Sequence, residues 1–328
     1  MKQILLRKRF EIIKLIREFF HKEDFIEVDT PVLSNSPGIE PYLEPFSTYM
    51  KLPNKKRIRK YLPYSPEFYM KRLLSIGFDK IFQIAHCFRN EELSKMHQPE
   101  FLMLEWYRKN ASYYHLMEDT QNLVLFITNN LNIRSIKVNS KIIDLSKPWQ
   151  ITTVKELFSK FLNIELENYS QPESLFNKII ELGFTLNKQF VNDWNSLFFY
   201  LFLNFIEPNL DFSKPLFIMD YPTSVSALAK PKETNTFYSE RFELYISKIE
   251  VVNACTELKD YNEHINRYLL CNNERRKMNK RPYPFDKEFF ATIKSGFTVA
   301  SGAALGIDRL IMLLLEQPDI SSIIHFAT

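Results

Sequence analysis

The sequence has little of what secreted, membrane-spanning or phosphate-cradling proteins are built on. Cysteine is scarce: Cys87, Cys255 and Cys271 are the 3 in 328 residues, and none forms a CxxC pair. An odd, sparse set argues against a disulfide framework and for a reducing compartment. The longest apolar run, near 197–205, is about half a membrane span. The N-terminal stretch MKQILLRKRFEIIKLIREFF is charged throughout and lacks the apolar segment of a signal peptide. A cytoplasmic protein without membrane contact is expected. The 6 histidines, His21, His86, His97, His115, His264 and His325, show no zinc-like spacing, and no GxxxxGK[ST] occurs. Repeats and low-complexity tails are also missing. The formal net charge of +4 is too weak to argue for nucleic-acid binding, which needs a concentrated basic patch.

What is present is bulk and alternation. Hydrophobic residues make up 45% and aromatics 15%, with 29 Phe, so the core is expected to be bulky. Residues 8–22 show helical spacing, and FIEVDTPVL (25–33) reads as extended. In SPEFYMKRLLSIG (65–77), Ser65 suits a helix N-cap, Pro66 the first helical position and Gly77 the C-terminal cap. KIFQIAHCFRNEE and PEFLMLEWY read as strands, as does PLFIMDYP (215–222). Residues 240–260 read as two strands with a break near 253–255. Residues 113–128, 152–206 and 262–280 read as helical, and 296–316 as strand, glycine-containing turn and helix. Strands recur without a βαβ rhythm, which predicts an α+β fold with an antiparallel sheet. A single domain over 1–328 is expected, with a mainly helical insertion around 150–206.

Alternation in FRNEELSKMHQPEFLMLEWY (88–107) sorts the hairpin into two faces. One is apolar, and His86 falls on it as a core histidine. The other gathers Arg89, Phe101, Glu105 and Tyr107, with Glu91, Glu92 and His97 in the loop above. Arg offers a fork of donors to phosphate, and Phe a plate for a planar ligand. A solvated hairpin tip would leave the same pattern. Glycines ahead of Arg309 in SGAALGIDRL suit either a backbone approach to an anion or tight packing. Glu243, Glu250 and Glu257 recur at intervals of seven among apolar residues. Carboxylates there suit Mg²⁺ or a charge-guarded strand edge.

Together these segments resemble the catalytic core of class II aminoacyl-tRNA synthetases of the lysyl type. FIEVDTPVL is similar to motif 1, FRNEE…HQPEFLMLEWY to motif 2 and SGAALGIDRL to motif 3; SPEFYMKRLL, DYPTSVSALAK and KIEVVNACTELKD resemble further lysyl-type segments. The likeness runs over roughly 8–316. It implies an antiparallel sheet flanked by helices, normally a homodimer with motif 1 at the interface. Motif 1 starts at residue 25, so no OB-fold anticodon domain is expected. In that respect the chain resembles lysyl-type paralogues that modify elongation factor P, which implies that protein as acceptor, lysine or β-lysine as substrate, and no tRNA.

The resemblance also implies roles. Arg89 and Arg309 would be catalytic, Arg89 on the α-phosphate and substrate carboxylate, Arg309 beside adenine and the γ-phosphate. Asn90, Glu91, His97, Gln98, Phe101, Glu243, Glu250, Val251 and Gly306 would complete the ATP site. Glu243 and Glu250 would hold Mg²⁺. Ser65, Glu67, Tyr107, Asn253, Glu257 and Ala304 would bind the amino acid, with Glu67 and Glu257 on its two amines. Two departures stand out. Gly302-Ala303-Ala304-Leu305-Gly306 replaces the usual Gly-x-Gly-x-Gly, so Ala304 is expected to favour β-lysine over α-lysine. VNACTEL replaces a common ANG-containing turn. A shortened lysyl-tRNA synthetase, a non-catalytic paralogue and an asparagine synthetase on the same core are the competing expectations. The presence of Arg89, Arg309, Glu243 and Glu250 counts against a non-catalytic paralogue, and Glu257 with Tyr107 favours a cationic substrate side chain over asparagine chemistry.

Overall fold

Period-two alternation along 80–109, 241–256 and 300–306 lays down one large sheet with two unlike faces. The computed structural model describes residues 2–186, 193–324 and 326. In chain order the elements are α1 (Lys2–Lys22), β1 (Ile26–Glu27), β2 (Ser47–Lys51), β3 (Arg57–Tyr61), α2 (Glu67–Ser75), β4 (Lys80–Phe88), β5 (Glu100–Lys109), α3 (Tyr113–Asn130), β6 (Ser135–Val138), β7 (Lys141–Asp144), β8 (Gln150–Thr153), α4 (Val154–Leu162), α5 (Pro172–Glu181), α6 (Trp194–Leu201), β9 (Leu216–Met219), β10 (Arg241–Ile246), β11 (Ile249–Thr256), α7 (Tyr261–Lys277), α8 (Lys287–Lys294), β12 (Ala300–Gly306) and α9 (Ile307–Leu314).

Eight strands form the main sheet in the order β1-β4-β5-β12-β11-β10-β9-β8. Its centre is antiparallel, as expected for an α+β fold, but β1 pairs with β4 and β8 with β9 in parallel. Each edge strand is reached by a long crossover, which is what parallel pairing requires. The register sets Glu105 opposite Gln83 on one side and Ala304 on the other, and Tyr107 opposite Gly302. The opposite face carries Phe82, Leu104, Trp106, Phe242, Val252 and Leu305, all at 0% exposure, under α1, α3 and α9. A buried ion pair between Arg9 and Asp308 joins α1 to α9. Asp308 Oδ2 also accepts the Leu102 N–H at 2.8 Å, which fixes α9 against β5.

Three local expectations are corrected. The break in 240–260 falls at Ser247 and Lys248, with φ 52° and 66°, and β11 runs unbroken through 253–255. His86 is exposed and pairs with Glu100 through Nδ1 at 2.8 Å, because the core ends before the end of β4. The cap of α2 is Pro66 rather than Ser65, although Ser65 Oγ accepts the Glu67 N–H at 3.0 Å.

The segment 150–206 begins as β8 and continues as α4, α5 and α6. Thr153 starts α4 with a capping box to Glu156. Phe158, Phe198 and Phe202 pack with Ile218 and Tyr245, on the cavity side of β9 and β10. Residues 187–192, inside the segment read as helical, lie outside the described residues. No helix among the described residues is long and apolar enough to cross a membrane.

Candidate active site

Over the polar face of β5, β12 and β11 opens a cavity of about 800 Å³. Ser65, Glu67, Arg89, His97, Gln98, Phe101, Tyr107, Glu250, Val251, Asn253, Glu257, Ala304, Gly306 and Arg309 all border it. Asn90, Glu91 and Glu243 do not. Asn90 spends its N–H on the Glu44 carbonyl at 2.9 Å and its Oδ1 on the Glu91 N–H at 3.0 Å, and Glu91 is turned to solvent with φ 68°. Glu92 borders the cavity in its place.

One end of the cavity is anionic. α2 presents Glu67 and, one turn on, Lys71, whose side chain is fully buried. Lys71 Nζ lies 2.6 Å from Glu67 Oε1 and 2.6 Å from Glu257 Oε2. The second contact buries Glu257 Oε2 against the ammonium as an ion pair. β5 adds Glu105, which accepts from Ser65 Oγ on one oxygen and from Tyr107 OH at 2.9 Å on the other. Burial and the nearby Glu67 push Glu105 up to about 8, against Ser65, Tyr107 and Lys71. Burial likewise pushes Glu257 up to about 7, although the Lys71 charge opposes it. Burial pulls the Lys71 ammonium down, but Glu257 and Glu67 more than reverse this and raise it above its ordinary value. Glu67 and Glu257 share one ammonium, and Glu105 adds its charge only as pH nears 8, so the pocket is short of positive charge.

Gly302 makes this end possible. A Cβ built there would run into the Tyr107 ring and lie 2.5 Å from Glu257 Oε1. The backbone of β12 therefore passes directly beneath both side chains. Ala304, two residues on, shares that face between Glu105 and Asn253.

The other end is cationic. Arg309, in the first turn of α9, donates from NH1 to the Glu250 carbonyl at 2.9 Å and from NH2 to His97 Nε2 at 2.6 Å. Nε2 must then accept, so the proton sits on Nδ1, facing Ser94 Oγ at 2.9 Å. Burial, together with Arg309, lowers the proton affinity of His97 and keeps that tautomer. The Arg89 guanidinium lies over the Phe101 ring at 5.1 Å, and its buried Nε has no partner, a donor suited to an anion.

Glu250 and Glu243 sit among the arginines of the cationic end. Glu243 is saturated by Tyr221 OH at 2.7 Å, Tyr245 OH at 2.8 Å and Arg241 NH2 at 2.6 Å. Burial and Glu243 push Glu250 up to about 7, opposed by Arg309, Arg241 and Arg89. Its side chain keeps 39% of its surface open, so water softens that shift. Among the described residues no three His, Cys, Asp or Glu side chains converge as a metal group. The donor set still fits Mg²⁺, which takes one or two carboxylates together with substrate phosphates. Glu250 is open to such an ion, while Glu243 stands behind it.

Lys71, Arg241 and Glu40 are site residues that sequence reasoning missed. Glu40 and Arg241 both border the cavity. For Lys71 the signal was the Glu67-x-x-x-Lys71 spacing, which on its own reads as a surface helix pair.

Across residues 1–328 the chain matches the family described as tRNA synthetases class II (D, K and N), and it belongs to that family. It is an enzyme of the ligase class, and ligases of this family use ATP. It is 35% identical over 323 residues to the elongation factor P–(R)-β-lysine ligase of Buchnera aphidicola subsp. Acyrthosiphon pisum (strain APS), covering 98% of this chain and 94% of that one. The corresponding ligase of Haemophilus ducreyi (strain 35000HP / ATCC 700724) is 34% identical, covering 98% and 93%. A lysine–tRNA ligase of Carboxydothermus hydrogenoformans (strain ATCC BAA-161 / DSM 6008 / Z-2901) is also 34% identical, but the match covers 64% of its length.

Proposed function

We propose that the chain activates a lysine-type amino acid with ATP and transfers it to a lysine ε-amino group of elongation factor P. The observation that carries this reading is the pair of carboxylates Glu67 and Glu257, each bound to Lys71 through one oxygen, at the far end of a cavity from Arg89 and Arg309. A diamino acid has two ammonium groups and so needs two acceptors. The free oxygens of Glu67 and Glu257 suit the near and the distal amine, with Tyr107 beside the latter.

The ionised substrate carboxylate attacks the α-phosphate in line, pyrophosphate leaves, and the acyl-adenylate remains. Chemistry of this kind needs positioning and charge neutralisation more than proton transfer. Arg89 neutralises the α-phosphate, Arg309 the γ-phosphate, and Phe101 stacks on adenine beside His97, Gln98, Val251 and Gly306. Magnesium held at Glu250, with Glu243 behind it, would neutralise the triphosphate when bound. Ala304 narrows the floor between Glu105 and Asn253. One methyl discriminates by about 1–3 kcal/mol, which favours (R)-β-lysine over α-lysine. The reading places the enzyme in the cytoplasm as a homodimer that does not use tRNA.

Relatives that the chain matches over nearly their whole length, such as that of Haemophilus ducreyi, support the elongation factor acceptor. Relatives named lysine–tRNA ligase, at 32–34% identity, support a second reading with tRNA as acceptor. The test supplies labelled lysine or β-lysine, ATP and Mg²⁺ with elongation factor P in one tube and lysine tRNA in another. Label on one protein lysine, greater with β-lysine, is the expected result. Label on tRNA alone would replace this reading with the second.

A further inference from the structure

β2 and β3 form a separate two-stranded hairpin, exposed along all of β2. Lys51, Lys55, Lys56, Arg57, Arg59 and Lys60 crowd onto it. None has an ion pair among the described residues; Arg59 donates to Tyr49 OH at 2.7 Å and Lys60 to Asn35 Oδ1 at 2.5 Å. Unneutralised charge on a protruding hairpin raises the local potential and steers a partner of opposite sign.

The hairpin is also stitched to the reaction centre. Its incoming stem gives the Glu44 carbonyl to the Asn90 N–H at 2.9 Å, and its outgoing stem gives the Pro63 carbonyl to the Phe88 N–H at 3.0 Å. Both bonds flank Arg89. A body held against the stems of the hairpin is thereby held close to Arg89, which borders the cavity.

Resting on the acceptor reading above, we propose that the β2–β3 hairpin is the docking surface for the acceptor protein, which meets it with an acidic patch close to the lysine that is modified. Protein is chosen over RNA because the relatives matched over nearly their whole length are named for elongation factor P. The hairpin's exposed aromatic, Tyr49, has the Arg59 guanidinium over its ring at 5.2 Å and its hydroxyl bound by the same arginine, so the two form one unit. Register puts Tyr49, Lys51, Arg57 and Arg59 on one face, a compact cationic strip suited to carboxylates.

The test uses the full chain and a Lys55→Glu/Lys56→Glu/Arg57→Glu variant. Lysine- or β-lysine-dependent pyrophosphate exchange serves as the fold control, since all three positions lie outside the cavity lining. Transfer to elongation factor P is then measured from 25 to 200 mM salt. The expected result is exchange within twofold of the parent, transfer kcat/KM reduced at least tenfold, and most of the parent's salt dependence lost. Unchanged transfer with intact exchange overturns the docking surface alone. Parent enzyme that forms adenylate but never labels elongation factor P overturns the acceptor reading and the docking surface with it. Loss of tRNA charging in the variant, with protein labelling untouched, would reassign the hairpin to RNA.

Discussion

The two ends of the cavity solve opposite electrostatic problems with the same sheet. At the amine end Glu67, Glu105 and Glu257 converge on one buried ammonium, Lys71. At the phosphate end Arg89, Arg241 and Arg309 gather around Glu250 and Glu243. The first end is short of cations, and the second gathers more arginines than carboxylates. On the proposed reading, an amino acid with two ammonium groups and a nucleoside triphosphate would supply the balancing charge, and the reacting carboxylate and α-phosphate would meet between. Each end is held open by backbone and helix positions rather than by side-chain size: Gly302 below Glu257, α9 behind Arg309.

Gly302→Ala should give the largest separation of the ends. The added methyl has no room beside Tyr107 and Glu257, so kcat/KM for the amino acid should fall on the order of 100-fold, while KM for ATP stays within about threefold. Equal losses for both substrates would dissolve the comparison. Pyrophosphate exchange at varied amino acid and varied ATP reads both.

Arg309→Lys should do the reverse at the other end. Lysine cannot hold the Glu250 carbonyl and His97 in one fork, so kcat/KM for ATP should drop roughly 10- to 100-fold with amino-acid KM little changed.

pH sharpens the contrast further. Glu105 and Glu257 are raised in the fold, to about 8 and about 7. Groups raised on folding stabilise the protein below their unfolded values, and that contribution is lost as pH rises through the folded ones. The free enzyme should therefore lose thermal stability between about pH 5 and 8. Over pH 6–8 the carboxylates ionise and hold the diammonium substrate better, so its KM should fall several-fold. A flat KM over that range would mean that these carboxylates do not face the substrate.

Tyr245→Phe should have the smallest effect. It removes one of the donors to Glu243, behind the phosphate end, and should cost about 1 kcal/mol in denaturant unfolding, with amino-acid KM unchanged.

Alternation made the sheet faces readable, because period two fixes which residues share a side: Phe101, Glu105 and Tyr107 do line one face. Where tertiary packing decides, the sequence was silent. Lys71 sits four residues after Glu67, a spacing typical of surface pairs, and becomes buried only when β11 brings Glu257 against it. The β10–β11 turn carries Ser247-Lys248 in left-handed conformations, without the Asn-Gly that marks such turns, so the break was placed too late. The resemblance implies Asn90 and Glu91 in the nucleotide site, but the chain turns at Glu91 and leads both away from the cavity. Glu40 borders the cavity from an irregular loop, where no periodicity points to a face.

The central claim is that the pocket reads two ammonium groups. The most direct measurement compares pyrophosphate exchange with lysine or β-lysine against an analogue whose distal amine is replaced by a hydroxyl. Loss of about 100-fold or more in kcat/KM, with Glu257→Gln erasing most of the difference, is the predicted result. Equal exchange with the hydroxyl analogue would contradict the claim.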